Sequence, residues 1–306
     1  MLKLFIVLAT VAVYNVQANN RVYHLFTRGS STPQPMTIRD NRLPSNFVPE
    51  HKTIILIHGH RGSVNAPSNT IIINELFELR TEYNVIVVDW EREASFGYSV
   101  ASSYVSTVAN NVAGFLRWLA AQTAVEGRVP PTPPAPAVPL VQMKDVHLVG
   151  FGLGAHLAGI ASRQLNGSPG LVGRITGLDP AGSGWGSRSA RLNANDANYV
   201  EVIHTDGTGP LANGIGSSIG DIDFYANGGS NQPGCFGHTC SHERAYELFA
   251  ASFRGHLVGE RCSSKTQMNL NLCSSRNTLV MGGTELTKDS SNGGIYRVNT
   301  RRTFPF

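Results

Sequence analysis

Five short apolar stretches limit what this chain can fold into. They read "HKTIILIHGHRG", "YNVIVVDWE", "KDVHLVG", "GRITGLDPAG" and "NYVEVIHTDG". Within each, apolar residues run almost without a break, the pattern of strands covered on both faces rather than one. Helical segments separate the first four. Residues 67–80 place Ile71, Ile72, Leu76 and Leu79 on one face. Residues 101–123 repeat Val105, Val108, Val112, Phe115, Leu116 and Leu119 at helical spacing, and residues 155–164 make a shorter helix. This alternation predicts an α/β fold: a central, mostly parallel sheet with helices on both faces. In such sheets ligand chemistry gathers beyond the carboxyl ends of the strands. His58, Asp89, Gly152, Asp179 and His204 fall at those ends. A further strand, "RVYHLFTR", is expected at a sheet edge.

The 306 residues are 41% hydrophobic, enough for a real core in one large domain or two smaller ones. Segment 129–140, "VPPTPPAPAVPL", carries six prolines, which exclude helix and central strand. The strands on either side continue one βαβ series, so a surface loop within a single domain is expected. At the N-terminus, Lys3 precedes an apolar run over 4–13 broken only by Thr10, and Val16-Gln17-Ala18 has the small-x-small form of a cleavage site. This is the pattern of a secretory signal peptide over 1–18, leaving a secreted, extracellular domain over 19–306. No other apolar stretch is long enough to span a bilayer, so no transmembrane segment is expected. The formal charge is +4, or +3 once Lys3 leaves with the signal. The basic residues are scattered rather than striped, which gives no case for nucleic acid as a partner.

Cys235, Cys240, Cys262 and Cys273 suit two disulfides in an oxidising compartment. Four cysteines allow three connectivities. Local pairing, Cys235 with Cys240 and Cys262 with Cys273, is the simplest. The crowding of Cys235, His238, Cys240 and His242 in "CFGHTCSH" also looks like a zinc site, but structural zinc usually draws on two separated ligand pairs. No metal is expected.

The turn in "HLVGFGLGAHLAG", residues 147–159, admits two readings. Gly150, Gly152 and Ala155 match a dinucleotide fingerprint between a strand and a helix. That motif wants an acid about 20 residues on. Asp179 lies well beyond that distance and a proline follows it. A nicotinamide cofactor also suits a secreted chain poorly, so no cofactor is expected. The second reading is a nucleophile elbow, G-x-S-x-G, with its outer glycines at 150 and 154 and glycine where serine belongs.

"VHLVGFGLGAHLAG", "ILIHGH", "YNVIVVDW", "ITGLDPAG", "VEVIHTDG", "DIDFYANGGSNQPGC" and "CSHERAYELFAAS" together resemble the pancreatic lipase family, in that family's order. The resemblance is nearest to insect secreted lipases and phospholipase A1 enzymes. Dipteran yolk proteins are similar in lacking the nucleophile. An α/β-hydrolase fold is implied, with the nucleophile position at Gly152, the acid at Asp179 and the general base at His242. The implied oxyanion donors are the backbone N–H groups of His60 and Leu153. The family's counterpart of His204 is structural. His58 and His156 are expected to hydrogen-bond within the scaffold, and Asp89 to order the loop after its strand. Asp206 is an alternative acid. Ser183, Ser187 and Ser241 lie near the site in sequence, but none sits on an elbow. Local pairing of the cysteines also follows the family's pattern.

The family's lid lies between two cysteines. Here Cys235 and Cys240 enclose only "FGHT", so an open site is expected. The family's second β-sandwich domain is not expected after "GGIYRVNTRRTFPF". Its calcium segment matches "RLNANDANYVEV", which keeps Asp196 but has Asn193 where an acid is usual, so calcium is not expected. Without the serine there is no covalent acyl-enzyme route. The implied function is a non-catalytic secreted homologue, a pseudoenzyme that binds a lipid or phospholipid or serves as a stored protein. Two alternatives remain: a carboxylic ester hydrolase of lipase or phospholipase A1 type with weak activity, and an interaction protein whose cleft has collapsed around Trp185. No protein partner is indicated.

Overall fold

The structure is a computed structural model that describes residues 21–30, 32–40, 42–123, 139–255, 257–288 and 293–306. The signal peptide expected over 1–18 and residues 129–138 of the proline-rich loop lie outside the described residues. The flanks of that loop meet in an antiparallel bridge between Thr123 and Pro139.

The chain runs through β1 (Tyr23–Phe26), β2 (Gln34–Met36), β3 (Lys52–Ile57), α1 (Pro67–Glu78), β4 (Tyr83–Val88), α2 (Glu91–Ala94) and α3 (Tyr98–Ala120). It continues with β5 (Val146–Phe151), α4 (Leu153–Arg163), β6 (Arg174–Leu178), β7 (Tyr199–His204) and β8 (Ile222–Ala226). The last part holds α5 (His238–Ala251), β9 (Val258–Cys262), α6 (Lys265–Leu270), β10 (Ser274–Val280) and β11 (Gly294–Val298). All these strands join one sheet, in the order β10-β9-β11-β8-β7-β6-β5-β3-β4-β1-β2. From β4 across to β11 every neighbouring pair is parallel. The edges, β1 with β2 and β9 with β10, pair antiparallel.

The five apolar stretches are β3 to β7, the middle of this sheet. Their alternate side chains supply two cores. On β3, Ile55 and Ile57 join α3 and α4 on one face, while Ile54 and Leu56 join α1 and α5 on the other. The six apolar residues that repeat along α3 are fully buried. Burying each such side chain contributes about 1.5–3 kcal/mol, which is why α3 stays against the sheet. The helices start or stop up to three residues from the expected bounds.

One expectation is corrected. The strand in "RVYHLFTR" is not the edge: β2 pairs with the free side of β1, and Tyr23 and Leu25 are fully buried. Four further strands, β8 to β11, extend the other side. Disulfides join Cys235 to Cys240 and Cys262 to Cys273. No helix among the described residues is long and apolar enough to cross a membrane.

Candidate active site

The turn from β5 into α4 has Gly152 at its apex, with φ 55° and ψ −115°. Side chains rarely accept that backbone region, and glycine adopts it freely. The flanking glycines answer a different need. A Cβ on Gly150 would stand 2.3 Å from the Gly154 carbonyl oxygen, and one on Gly154 would stand 2.2 Å from that of Ile57. Only glycines at both positions let α4 begin hard against β3 and β5. Leu153 is the first residue of α4, so its N–H has no carbonyl within the helix to bond.

Asp179 follows β6 directly and is fully buried. Its Oδ1 accepts the backbone N–H groups of Thr205 at 2.8 Å and Asp206 at 3.1 Å. Its Oδ2 accepts from His242 Nδ1 at 2.6 Å. His242 rides on the first turns of α5 and packs its ring 4.4 Å from that of Phe151. With Nδ1 committed to Asp179, Nε2 faces the turn. A Cβ built on Gly152 would stand 3.2 Å from that nitrogen.

His60 follows β3 and Gly59. Its imidazole Nε2 meets the Phe96 carbonyl at 2.8 Å, and its ring meets Tyr98 edge-on at 5.4 Å. Tyr98 donates its hydroxyl to the Ser183 carbonyl at 2.8 Å, and burial pushes this phenol up to about 12. His60, Gly152, Leu153 and His242 line one open cleft of about 490 Å³, with Asp179 behind His242. Tyr98, Phe151, Pro210 and Leu211 give the cleft apolar walls, and Asn213, Thr239 and Glu243 add polar groups. Sequence spacing spread these five residues over more than half the chain; the carboxyl edge of the sheet gathers them.

The neighbouring residues have other work. His204 is fully buried, with its nitrogens 2.9 Å from the Ile215 carbonyl and 2.7 Å from the Asp223 carboxylate. Burial lowers His58 and His156 to about 4 each. The first meets the Gly59 carbonyl and the second that of Ala181, so both brace loops of the site. Asp89 accepts the N–H of Glu91, ordering the loop after β4. Ser183 lines the cleft, and its carbonyl accepts the Tyr98 hydroxyl. Ser241 is buried and accepts the Gln232 N–H. Trp185 lies in the core, stacked on His156 at 4.2 Å and donating to Ser102, so it does not fill the cleft.

Neither metal-like pattern gathers free ligands. Cys235 and Cys240 are bonded to each other, and His238 and His242 each hold an aspartate. Asp196 gives both carboxylate oxygens to Arg163, at 2.6 and 2.8 Å, and its Oδ2 also accepts the Asn193 N–H. No motif joins His238 to Asp206, a second Asp–His contact of 2.6 Å beside the cleft. The available signal was the four-residue spacing of His238 and His242, which puts both on one helix face.

The family model described as Lipase matches residues 15–306. Lipoprotein lipase from Rattus norvegicus is 34% identical over 290 residues, covering 85% of this chain and 57% of that protein. Lipase member H-A from Xenopus laevis is 34% identical over 234 residues, covering 72% of this chain and 46% of that protein. The chain thus spans about half the length of the relatives it matches. The family match, the sheet order and the turn at Gly152 agree, and the chain belongs to the pancreatic lipase family, with the α/β-hydrolase fold.

Proposed function

We propose that this protein is a non-catalytic member of the lipase family that holds a lipid or phospholipid in the cleft beside Gly152. In this reading Gly152 occupies the nucleophile's place, Asp179 and His242 are the acid and base, and the N–H groups of His60 and Leu153 are the oxyanion donors. The observation that carries the reading is the glycine itself. His242 Nε2 stands 3.2 Å from where the side chain would begin, and no hydroxyl is there to be activated. In serine proteases, losing the nucleophile costs roughly 10^6 in kcat and leaves about 10^3 to 10^4 over the water rate. A loss of that size here would leave binding rather than hydrolysis as the role. The open cleft and the four-residue loop between Cys235 and Cys240 support access by a ligand with acyl chains. The two disulfides support secretion of the single domain 19–306 into an oxidising compartment.

Mass spectrometry of lipids that co-purify with the natively secreted protein tests this. A stoichiometric lipid, released on denaturation, is expected. A clean protein that also fails to take up added lipid would contradict the reading.

One observation favours a second reading, a weak ester hydrolase. The Asp179–His242 pair is intact at 2.6 Å and could polarise a water. That reading requires ester turnover by the natural protein that disappears in His242→Ala.

A further inference from the structure

The proposed ligand can be given a chemical class, a step that rests on the lipid-binding reading of the cleft. His242 spends Nδ1 on Asp179 at 2.6 Å, so Nε2 is its only nitrogen free to meet a ligand. A Cβ on Gly152 would lie 3.2 Å from Nε2, 3.6 Å from Cε1 and 4.0 Å from Gly59 Cα. A serine would fill that space with a carbon and a hydroxyl. Glycine leaves it continuous with the 490 Å³ cleft, at the one point where a ligand oxygen reaches the imidazole.

An ester carbonyl brings a single strong acceptor to such a site. A carboxylate brings two charged oxygens, each with two lone-pair directions. Its hydrogen bonds are about twice as strong as those of a neutral acceptor. One oxygen can sit beside the Leu153 N–H, where an ester carbonyl would. The other then falls where the hydroxyl is missing. We propose that the vacated turn binds the free carboxylate of a long-chain fatty acid, with its second oxygen on His242 Nε2 in the place of the absent side chain. The acyl chain would follow the apolar walls at Phe151, Pro210 and Leu211.

The geometry also fixes a proton. His242 already donates from Nδ1, so donation from Nε2 as well requires the imidazolium form. Carboxylate binding and His242 protonation therefore favour each other. The groups that face this imidazole are few. Asp179 lies behind it, and Phe151 covers one ring face. Across the cleft, the Tyr98 hydroxyl is held by Ser183, and His60 Nε2 by Phe96. On α5, His238 turns to Asp206, while Glu243 is exposed at the mouth. The Glu243 charge opposes an anion, but solvent and salt screen it there.

Calorimetry of the full chain with decanoate and with methyl decanoate, both below aggregation and in two buffers of different ionisation enthalpy, tests the proposal. Decanoate should bind about tenfold or more tightly than its methyl ester, as expected for one charge-assisted contact. At about pH 8, above the ordinary imidazole range, its binding should also take up protons. His242→Gln should abolish the proton uptake and cut decanoate affinity about tenfold. Gly152→Ala, which puts a Cβ into the vacated space, should do the same to affinity. The acid–ester comparison on the natural protein stands even if that variant folds poorly. Equal binding of acid and ester, or binding without proton uptake, would overturn the carboxylate assignment and leave the lipid-binding reading in place. Failure of both ligands, with no co-purifying lipid, would overturn both.

Discussion

In the proposed reading, residue 152 lacks the hydroxyl that an ester hydrolase of this family would place beside His242. Fluorophosphonate probes need an activated hydroxyl beside a general base, and Gly152 offers none to His242. The native protein should therefore remain unlabelled, as checked by intact mass; stoichiometric labelling at any serine would reveal another nucleophile. The buried histidines give a second test. His58 and His156 titrate at about 4 in the folded protein because burial disfavours their charge, against about 6.5 when unfolded. Between those values the unfolded chain binds more protons. Stability is thus complete above about pH 6.5 and is lost as pH falls toward 4, by on the order of 3 kcal/mol per histidine. Urea midpoints should fall steadily from about pH 6.5 to 4.5, and a flat profile would contradict neutral burial.

At the scale of elements, a paired charge hides the short strand β8 but not β7, whose apolar run continues around Glu201. The strands β3 to β7 are legible because nothing interrupts their apolar runs long enough to suggest a turn. The strand β8 reads "IDFYA", and its Asp223 looks out of place until His204 and the N–H groups of Ile219 and Gly220 satisfy it. On β11, Arg297 interrupts the pattern in the same way and donates to the Met268 carbonyl. The site's motifs are legible because the turn needs glycines at fixed positions. The Asp206–His238 contact depends on how two loops meet, which no local pattern records. Another such contact sits at the amino end of β6. Arg174 and Glu201 are fully buried at 3.0 Å, and Glu201 also takes Lys288 at 2.6 Å, Tyr199 at 2.7 Å and the Gly282 N–H at 2.7 Å. Burial would raise the Glu201 carboxyl, yet Arg174 and Lys288 hold it below its usual range. Glu201→Leu would strand both cations, and should cost about 3–5 kcal/mol in chemical denaturation. A loss under about 1 kcal/mol would show that the network carries little of the fold.

The molecule as a whole keeps an α/β-hydrolase scaffold around a cleft that has glycine at residue 152. The lipase resemblance already placed Asp179 and His242 together and implied a site without a long lid, but whether Trp185 fills the cleft could not be read from the chain. Trp185 decides that point by stacking in the core on His156 instead of entering the site. The most direct test of this account is ester hydrolysis by Gly152→Ser beside the natural protein. Serine must adopt φ near 55°, which costs on the order of 1–3 kcal/mol. Its Cβ also requires His242 to yield slightly from the 3.2 Å it would otherwise keep. A folded, somewhat less stable variant is expected, hydrolysing short-chain esters or phospholipids several orders of magnitude faster than the natural protein, on the roughly 10^6 scale of triad effects. His242→Ala should abolish that gain. Natural protein as active as the serine variant would contradict the account, as would a folded serine variant that stays inert.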